Sequence, residues 1–150
     1  MPGGVSIRGY RPSDEEAVVS LWQACQLTRP WNDARRDIER KLASDAGPFL
    51  VAEADDNVVG TAMVGYDGHR GWINYLAVHP THRGQGIGRA LMEHAERSLS
   101  VEGCPKLNLQ VRQGNTAAVA FYERLGYLQD EVVSLGKRLI DDNNTPPETA

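Results

Sequence analysis

Three alternating glycines lie between an apolar segment and a segment with helical periodicity. The run reads Arg83-Gly84-Gln85-Gly86-Ile87-Gly88-Arg89. Glycine tolerates positive φ and has no Cβ, so a ligand can approach its backbone closely. The N–H groups that open the next helix lack partners inside the helix and lie at the positive end of its dipole. Because an arginine flanks the run on each side, the pattern predicts a loop that binds phosphate or pyrophosphate.

Two common phosphate-binding motifs fit this loop poorly. A P-loop needs GxxxxGK[ST], and the sequence contains no such run. A dinucleotide fingerprint needs GxGxxG, but the third glycine position falls on Arg89 or, in the next register, on Leu91. The strand that follows ends with Gln110 and Arg112 where a ribose-binding acid is expected. A Rossmann domain is thus disfavoured, while a purely structural strand-to-helix turn stays an equal alternative for the loop taken alone.

The surrounding sequence predicts a layered α/β domain. Ser13 and Glu16 have the spacing of a capping box for a first helix, and Asn32 or Asp33 can cap a second. Apolar spacing predicts a third helix over residues 86–100 and a fourth over 115–125. Strands are predicted at residues 5–11, 49–53, 58–66, 72–78, 106–111, 127–135 and 137–140. This order favours a mixed, mostly antiparallel sheet of about seven strands flanked by about four helices.

Composition restricts the class of protein. The chain has 150 residues, 41% hydrophobic and 24% charged, as in an ordinary soluble domain. Its net charge of -4 argues against generic binding to nucleic acid or to a membrane, since both need a basic surface. Cys25, Cys104 and the histidines show no metal-ligand spacing, so we expect no metal. We expect one cytoplasmic domain over residues 1–150, with loose ends at 1–4 and 142–150.

A second motif in the C-terminal half changes the interpretation of the loop. It consists of Asn115, Ala118, Phe121, Tyr122, Gly126 and Tyr127. With Arg83-x-x-Gly86-x-Gly88 and the preceding segment Leu76-Ala77-Val78-His79-Pro80, it resembles the GNAT-type N-acetyltransferases. Residues 29–33 and 134–140 also resemble the small bacterial YpeA-like subgroup.

The resemblance implies a GNAT fold with two splayed parallel strands, residues 72–78 and 106–111. It also implies acetyl-coenzyme A as co-substrate, an amine as acceptor and direct attack of the amine on the thioester. By the family pattern, the N–H of Leu76 polarises the thioester carbonyl, Val78 binds pantetheine, and the N–H groups of residues 84–89 bind the pyrophosphate. Asn115 helps to hold the co-substrate, and Tyr122 protonates the departing thiolate. A homodimer is a further expectation from the resemblance.

The general base is not identified by the sequence. The strand before the loop offers Trp72, Asn74 and Tyr75, and Gln110 stands where related enzymes carry a glutamate. A water chain that ends on one of three side chains, or an amine that arrives neutral, remains open. Those three side chains are Glu53, Asp67 and His79.

Three further alternatives remain. The acids of the second helix, Asp33 and Asp37 among them, are expected to form a solvated face, although Trp31 and Asp33 could also meet an amine. Tyr122 could instead be a core aromatic beside Phe121. The rival function is a coenzyme A-binding module without catalysis, and the acceptor is not identified.

Overall fold

The computed structural model describes residues 4–44 and 47–143, and these form five strands and four helices. The elements in chain order are β1 (Val5–Gly9), α1 (Glu15–Ala24), α2 (Ala34–Ala43), β2 (Phe49–Ala54), β3 (Asn57–Tyr66), β4 (Gly71–Val78), α3 (Ile87–Val101), β5 (Leu107–Leu109) and α4 (Thr116–Arg124). Short 3-10 turns precede α1 and α3. Within the described residues, no helix combines the length and the apolar composition needed to cross a membrane.

The strands form one sheet in the order β1-β2-β3-β4-β5. The first four are antiparallel to their neighbours, and β5 runs parallel to β4. Because strand residues alternate between faces, Ala62 and Val64 of β3 pack with α3, whereas Met63 packs with α1 and α2. Two apolar cores thus lie on opposite faces of the sheet. The α/β class with a mixed sheet is confirmed.

The two parallel strands separate half-way along β4. Residues Gly71–Ile73 of β4 pair with Leu107–Leu109, and the pairing with β5 goes no further. Just beyond this point β4 contains a bulge: Ala77 stands opposite Thr61 and Asn74 opposite Met63, so two residues of β4 face one of β3. The two residues of β4 at the bulge are Tyr75 and Leu76, and Tyr75 has a φ of 52°. The predicted splay is confirmed.

Two predicted features differ from the structure. The strands expected at residues 127–135 and 137–140 are wrong, so the sheet has five strands rather than about seven. Leu128, Val133 and Leu135 are over 80% exposed, and a β-favouring sequence forms a strand only where a neighbour supplies backbone partners. The capping box at Ser13 is also wrong. Ser13 lies inside a 3-10 turn, and the carboxylate of Asp14 accepts from Arg11 N at 2.8 Å.

The predicted loose ends lie mostly outside the described residues, which omit 1–3 and 144–150. Asp142 is described, and its side chain is 2% exposed against α2. Its carboxylate accepts from the backbone N–H of Asp33 at 2.6 Å and pairs with Arg40 at 2.6 Å. The C-terminal segment is therefore attached to α2 at this residue.

Candidate active site

The glycine loop joins the end of β4 to the start of α3. After the turn Pro80–His82, the chain passes through Gly84 and Gly86 at φ of 78° and 82°, with the exposed Gln85 between them. A Cβ at either glycine would meet no described atom within 4 Å, so the space beside the loop is open. Gly86 is the N-cap of α3, and no side chain of the described residues caps that end. The first N–H groups of α3 are available to an anion.

The flanking side chains of the loop have different surroundings. Ile87 is 1% exposed and anchors the loop in the core, so only its backbone can meet a ligand. Arg83 folds back, and its Nε donates to the Val78 carbonyl at 3.1 Å. Arg89 lies 3.7 Å from Glu93 with both side chains half exposed. Such a pair contributes about 1 kcal/mol at most, which leaves Arg89 free to turn toward a bound anion.

Gly88 allows three elements to meet behind the loop. A Cβ added there would lie 3.1 Å from Cζ of Phe121 on α4 and 3.7 Å from Cγ2 of Val78 on β4. The absence of a side chain at this position therefore lets α4 pack closely on α3 and β4. This contact brings the second sequence motif, which contains Tyr122, to the side of the glycine loop.

Tyr122 lies on α4 among aromatic side chains. Its ring makes edge contacts with Phe121 and Tyr127 at centroid distances of 5.0 and 5.9 Å. Burial raises the pKa of Tyr122 to about 12, because the phenolate would lose its hydration. No described residue hydrogen-bonds to its hydroxyl. The O–H therefore stays protonated near neutral pH and can donate to a ligand.

The bulge sets the direction of the Leu76 N–H. The hydroxyl of Thr61 donates to the Tyr75 carbonyl at 2.8 Å and accepts from Nε1 of Trp22 at 2.9 Å. In a trans peptide the C=O and the following N–H point in opposite directions. Because the Tyr75 carbonyl points to Thr61, the Leu76 N–H points away from it, at the level where β4 has left β5.

Val78 presents its backbone to the same open edge. His79 N donates to Val59 O at 2.8 Å, so His79 occupies a hydrogen-bonded site of the β3–β4 ladder. Its neighbour Val78 is then a non-hydrogen-bonded residue whose N–H and C=O point away from β3. The carbonyl already accepts from Arg83 Nε and, at 3.3 Å, from the thiol of Cys25. The N–H of Val78 points to that edge as well.

Asn115 has a structural contact in addition to its predicted role. It is the N-cap of α4, and its Oδ1 accepts from Ala118 N at 3.1 Å. This bond satisfies one of the N–H groups that open the helix. Asn115 would therefore contact the co-substrate through its side-chain amide N–H₂.

The opposite face of the sheet carries a cluster that the sequence did not predict. The hydroxyl of Tyr75 donates to the carboxylate of Asp37 at 2.6 Å, and burial together with this bond raises the pKa of Tyr75. Asn32 also donates to Asp37, and Arg40 pairs with it at 3.1 Å. Asp37 therefore points inward rather than belonging to a solvated face. No sequence signal links the two partners, because Asp37 and Tyr75 are 38 positions apart.

The three side chains considered as ends of a proton path are engaged elsewhere. Glu53 pairs with Arg8 at 2.8 Å. The pKa of Asp67 is lowered by the backbone N–H groups of its turn, which precedes the paired start of β4. His79 accepts from Thr81 N at 3.2 Å in the turn after β4.

Residues 16–127 match the family described as the acetyltransferase (GNAT) family. The chain belongs to this family. Acetyltransferase SG1711 of Sodalis glossinidius (strain morsitans) is 54% identical over 139 residues, which cover 92% of this chain and 98% of that protein. This GNAT chain is therefore an acetyltransferase. The YpeA-like subgroup stays a prediction.

Solved structures of other GNAT proteins share the fold. The aminoglycoside acetyltransferase AAC(6')-Iy in complex with a bisubstrate analogue superposes with a TM-score of 0.75 at 22% identity, over 89% of this chain and 98% of that one. The ribosomal-protein-S18-alanine N-acetyltransferase of Escherichia coli gives 0.71 at 24% identity, over 81% and 76%. At these identities the likeness concerns the fold alone.

Proposed function

We propose that this GNAT protein transfers the acetyl group of acetyl-coenzyme A to a primary amine within a ternary complex. The observation that carries the proposal is the bulge at Tyr75 and Leu76. It turns one backbone N–H out of the β3–β4 ladder, at the place where the neighbouring strand β5 has ended. The whole chain then forms one catalytic domain.

The co-substrate fits the open edge of β4. Pantetheine has amide groups that can pair with a free strand edge as an added strand would. The N–H of Val78 lies on that edge, and the glycine loop follows it directly in the chain. The pyrophosphate would then meet the uncapped start of α3, with Arg89 near it. Acetyl-coenzyme A would therefore meet backbone N–H groups that point away from the β3–β4 ladder or begin α3.

The chemistry needs one donor at each of two atoms. The amine nitrogen attacks the thioester carbon, and the N–H of Leu76 donates to the oxygen on which negative charge develops. The C–S bond then breaks, and the O–H of Tyr122 donates to the departing sulfur. After the C–N bond has formed, the nitrogen releases one proton to water, and Tyr122 regains its proton from water. Because the nearby carboxylate of Asp37 already accepts three hydrogen bonds, we propose that the amine reacts in its neutral form.

Three measurements test the proposed acetyl transfer. Calorimetry should show that the protein binds coenzyme A, and a thiol-release assay over a panel of amines should show turnover with some of them. Mass measurement of the product should show one added acetyl group on nitrogen. Binding without turnover on any amine would favour the non-catalytic module instead, and absence of binding would reject both. Sedimentation of the same sample would test the proposed homodimer.

A further inference from the structure

The C-terminal segment, residues 134–143, connects the β5 side of the sheet to α2. At its start the hydroxyl of Ser134 accepts from Nε2 of Gln110 at 2.6 Å. Further along, Arg138 donates to the carbonyl of Trp31 at 3.3 Å and to Oδ1 of Asn32 at 3.1 Å. The segment therefore crosses to the loop between α1 and α2 and lies beside the Asp37–Tyr75 cluster.

Asp142 fixes the far end of the segment. Besides Arg40 and the Asp33 N–H, its carboxylate lies 3.8 Å from Arg36. The same contacts lower the pKa of Asp142 to about 2, so the carboxylate is charged at neutral pH. Side-chain contacts therefore hold the segment at both ends.

A pocket of about 570 Å³ lies between α2 and this segment. We call it the Lys137–Arg138 pocket. It is lined by Arg40, Gly136, Lys137, Arg138, Leu139 and Ile140. Three of these six residues are cationic, and none is acidic.

The positive charge of the pocket is only partly neutralised. Arg40 pairs with both Asp37 and Asp142. Among the described residues, Arg138 donates only to neutral oxygens, namely two carbonyls and one amide. Lys137 has no ion pair or hydrogen bond with any residue that the structure describes. Two cations without a carboxylate partner in one concave surface attract an anion, and a guanidinium beside an ammonium suits a carboxylate or a phosphate.

The pocket adjoins the proposed acceptor side and not the glycine loop. Arg40 lines the pocket and also pairs with Asp37, which accepts from the hydroxyl of Tyr75. Tyr75 precedes Leu76, the donor proposed for the thioester oxygen. The glycine loop instead lies at the start of α3, and α3 packs on the other face of the sheet. The pocket is therefore separate from the proposed pyrophosphate site.

We propose that the Lys137–Arg138 pocket binds an anionic group of the acceptor, either a carboxylate or a phosphate. The acceptor is then a small molecule that carries an amine and, at some distance from it, an oxyanion. This inference rests on the proposed acetyl transfer, but the anion site can be measured without turnover.

The direct test uses protein saturated with coenzyme A, so that the glycine loop is occupied. Inorganic phosphate and succinate are titrated separately and followed by NMR of the backbone amides. We expect saturable binding of at least one of them, with shifts at residues 136–140. Succinate alone would indicate a carboxylate, and phosphate alone a phosphate. No saturable shift with either anion would overturn the proposal.

Charge variants supply the matched control. The double variant Lys137→Gln, Arg138→Gln should weaken anion binding at least tenfold. Arg11→Gln with Arg97→Gln removes the same charge from exposed positions elsewhere and should leave it unchanged. Lys137→Gln alone removes a side chain that makes no hydrogen bond or ion pair with a described residue, so a loss there cannot be attributed to a broken structural bond. Equal loss in both double variants, or weaker coenzyme A binding in the pocket variant, would refute an acceptor site.

A kinetic test measures the distance from the reacting nitrogen to the pocket. Straight-chain alkylamines are compared with ω-amino acids of equal length. At the chain length that spans the distance from the reacting nitrogen to the pocket, we expect the amino acid to have a KM at least tenfold lower than the alkylamine. The double variant Lys137→Gln, Arg138→Gln should not show this difference. Equal KM values at every length would overturn the proposal. If the natural protein does not bind coenzyme A, the proposed function itself is rejected.

Discussion

The indole of Trp22 and the phenol ring of Tyr75 stack at a centroid distance of 3.8 Å with their planes 11° apart. Both residues also bond to the hydroxyl of Thr61, Trp22 through its Nε1 and Tyr75 through its carbonyl. A left-handed backbone costs a residue other than glycine about 1–2 kcal/mol. One stacked ring and one hydrogen bond at Tyr75 can offset this cost. The bulge that directs the Leu76 N–H is thus held in place from α1.

Thr61→Val should destabilise the protein and lower its activity together. The change keeps the shape of the side chain but leaves the Trp22 N–H and the Tyr75 carbonyl without their buried partner. We expect a loss of about 2–4 kcal/mol in the free energy of unfolding, measured in urea. The value of kcat should fall because the Leu76 N–H is no longer fixed. Thr61→Ser retains the hydroxyl and should behave nearly as the natural protein; equal effects of Ser and Val would show that the hydrogen bonds are unimportant.

The sequence predicts the donor side of the site far better than the acceptor side. Glycine at positions 84 and 86 predicts a backbone with positive φ, and both residues adopt one. The bulge is not predictable in this way, because Tyr75 has no local reason to adopt a φ of 52°. Its conformation comes from Trp22 and Thr61, which are distant in the chain. Tertiary contacts of this kind leave no local sequence pattern.

The C-terminal part shows a second limit of sequence patterns. Residues 127–140 have the composition of strands, but the structure gives them no neighbouring strand in the described residues. Side chains instead join this part to the start of β5, as in the ion pair at 2.7 Å between Asp130 and Lys106, the residue before the strand. The polar composition of residues 142–150 predicts a loose end, whereas an ion pair with Arg40 attaches Asp142 to α2. Charge pairs between distant segments are invisible to hydrophobic periodicity.

Gly86→Ala should weaken coenzyme A binding by about tenfold or more, because a side chain at φ 82° strains the loop whose N–H groups meet the pyrophosphate. Gly103→Ala is a matched control. Gly103 has a φ of 80° with no described atom within 4 Å of its Cβ position, and it follows the other end of α3. Both variants should lose a similar free energy of unfolding, about 1–2 kcal/mol. If calorimetry finds the same affinity for coenzyme A in the two variants, the glycine loop does not contribute to binding.

Tyr122→Phe should lower kcat about a hundredfold or more while the affinity for coenzyme A changes little. The change removes only the hydroxyl, so the edge contacts with Phe121 and Tyr127 persist. Thiol release at saturating co-substrate measures the rate, and calorimetry measures the affinity. Tyr66→Phe on β3 removes a hydroxyl away from the loop and should keep full activity. An unchanged rate in Tyr122→Phe would mean that the thiolate departs without this donor.

The dependence of kcat/KM on pH should reflect the ionisation of the amine acceptor and not that of Tyr122. An alkylamine has a pKa of about 10.4, so its neutral fraction, and with it the rate, should rise about tenfold per pH unit from pH 7 to 9.5. The pKa of Tyr122 is raised to about 12, so its proton is retained over this range and no fall should appear below about pH 10.5. An acceptor of lower pKa should shift the whole rise downward by the difference. A plateau that begins near pH 7 for every acceptor would instead identify a protein group as the base, because a fixed residue titrates at one pH whatever the substrate.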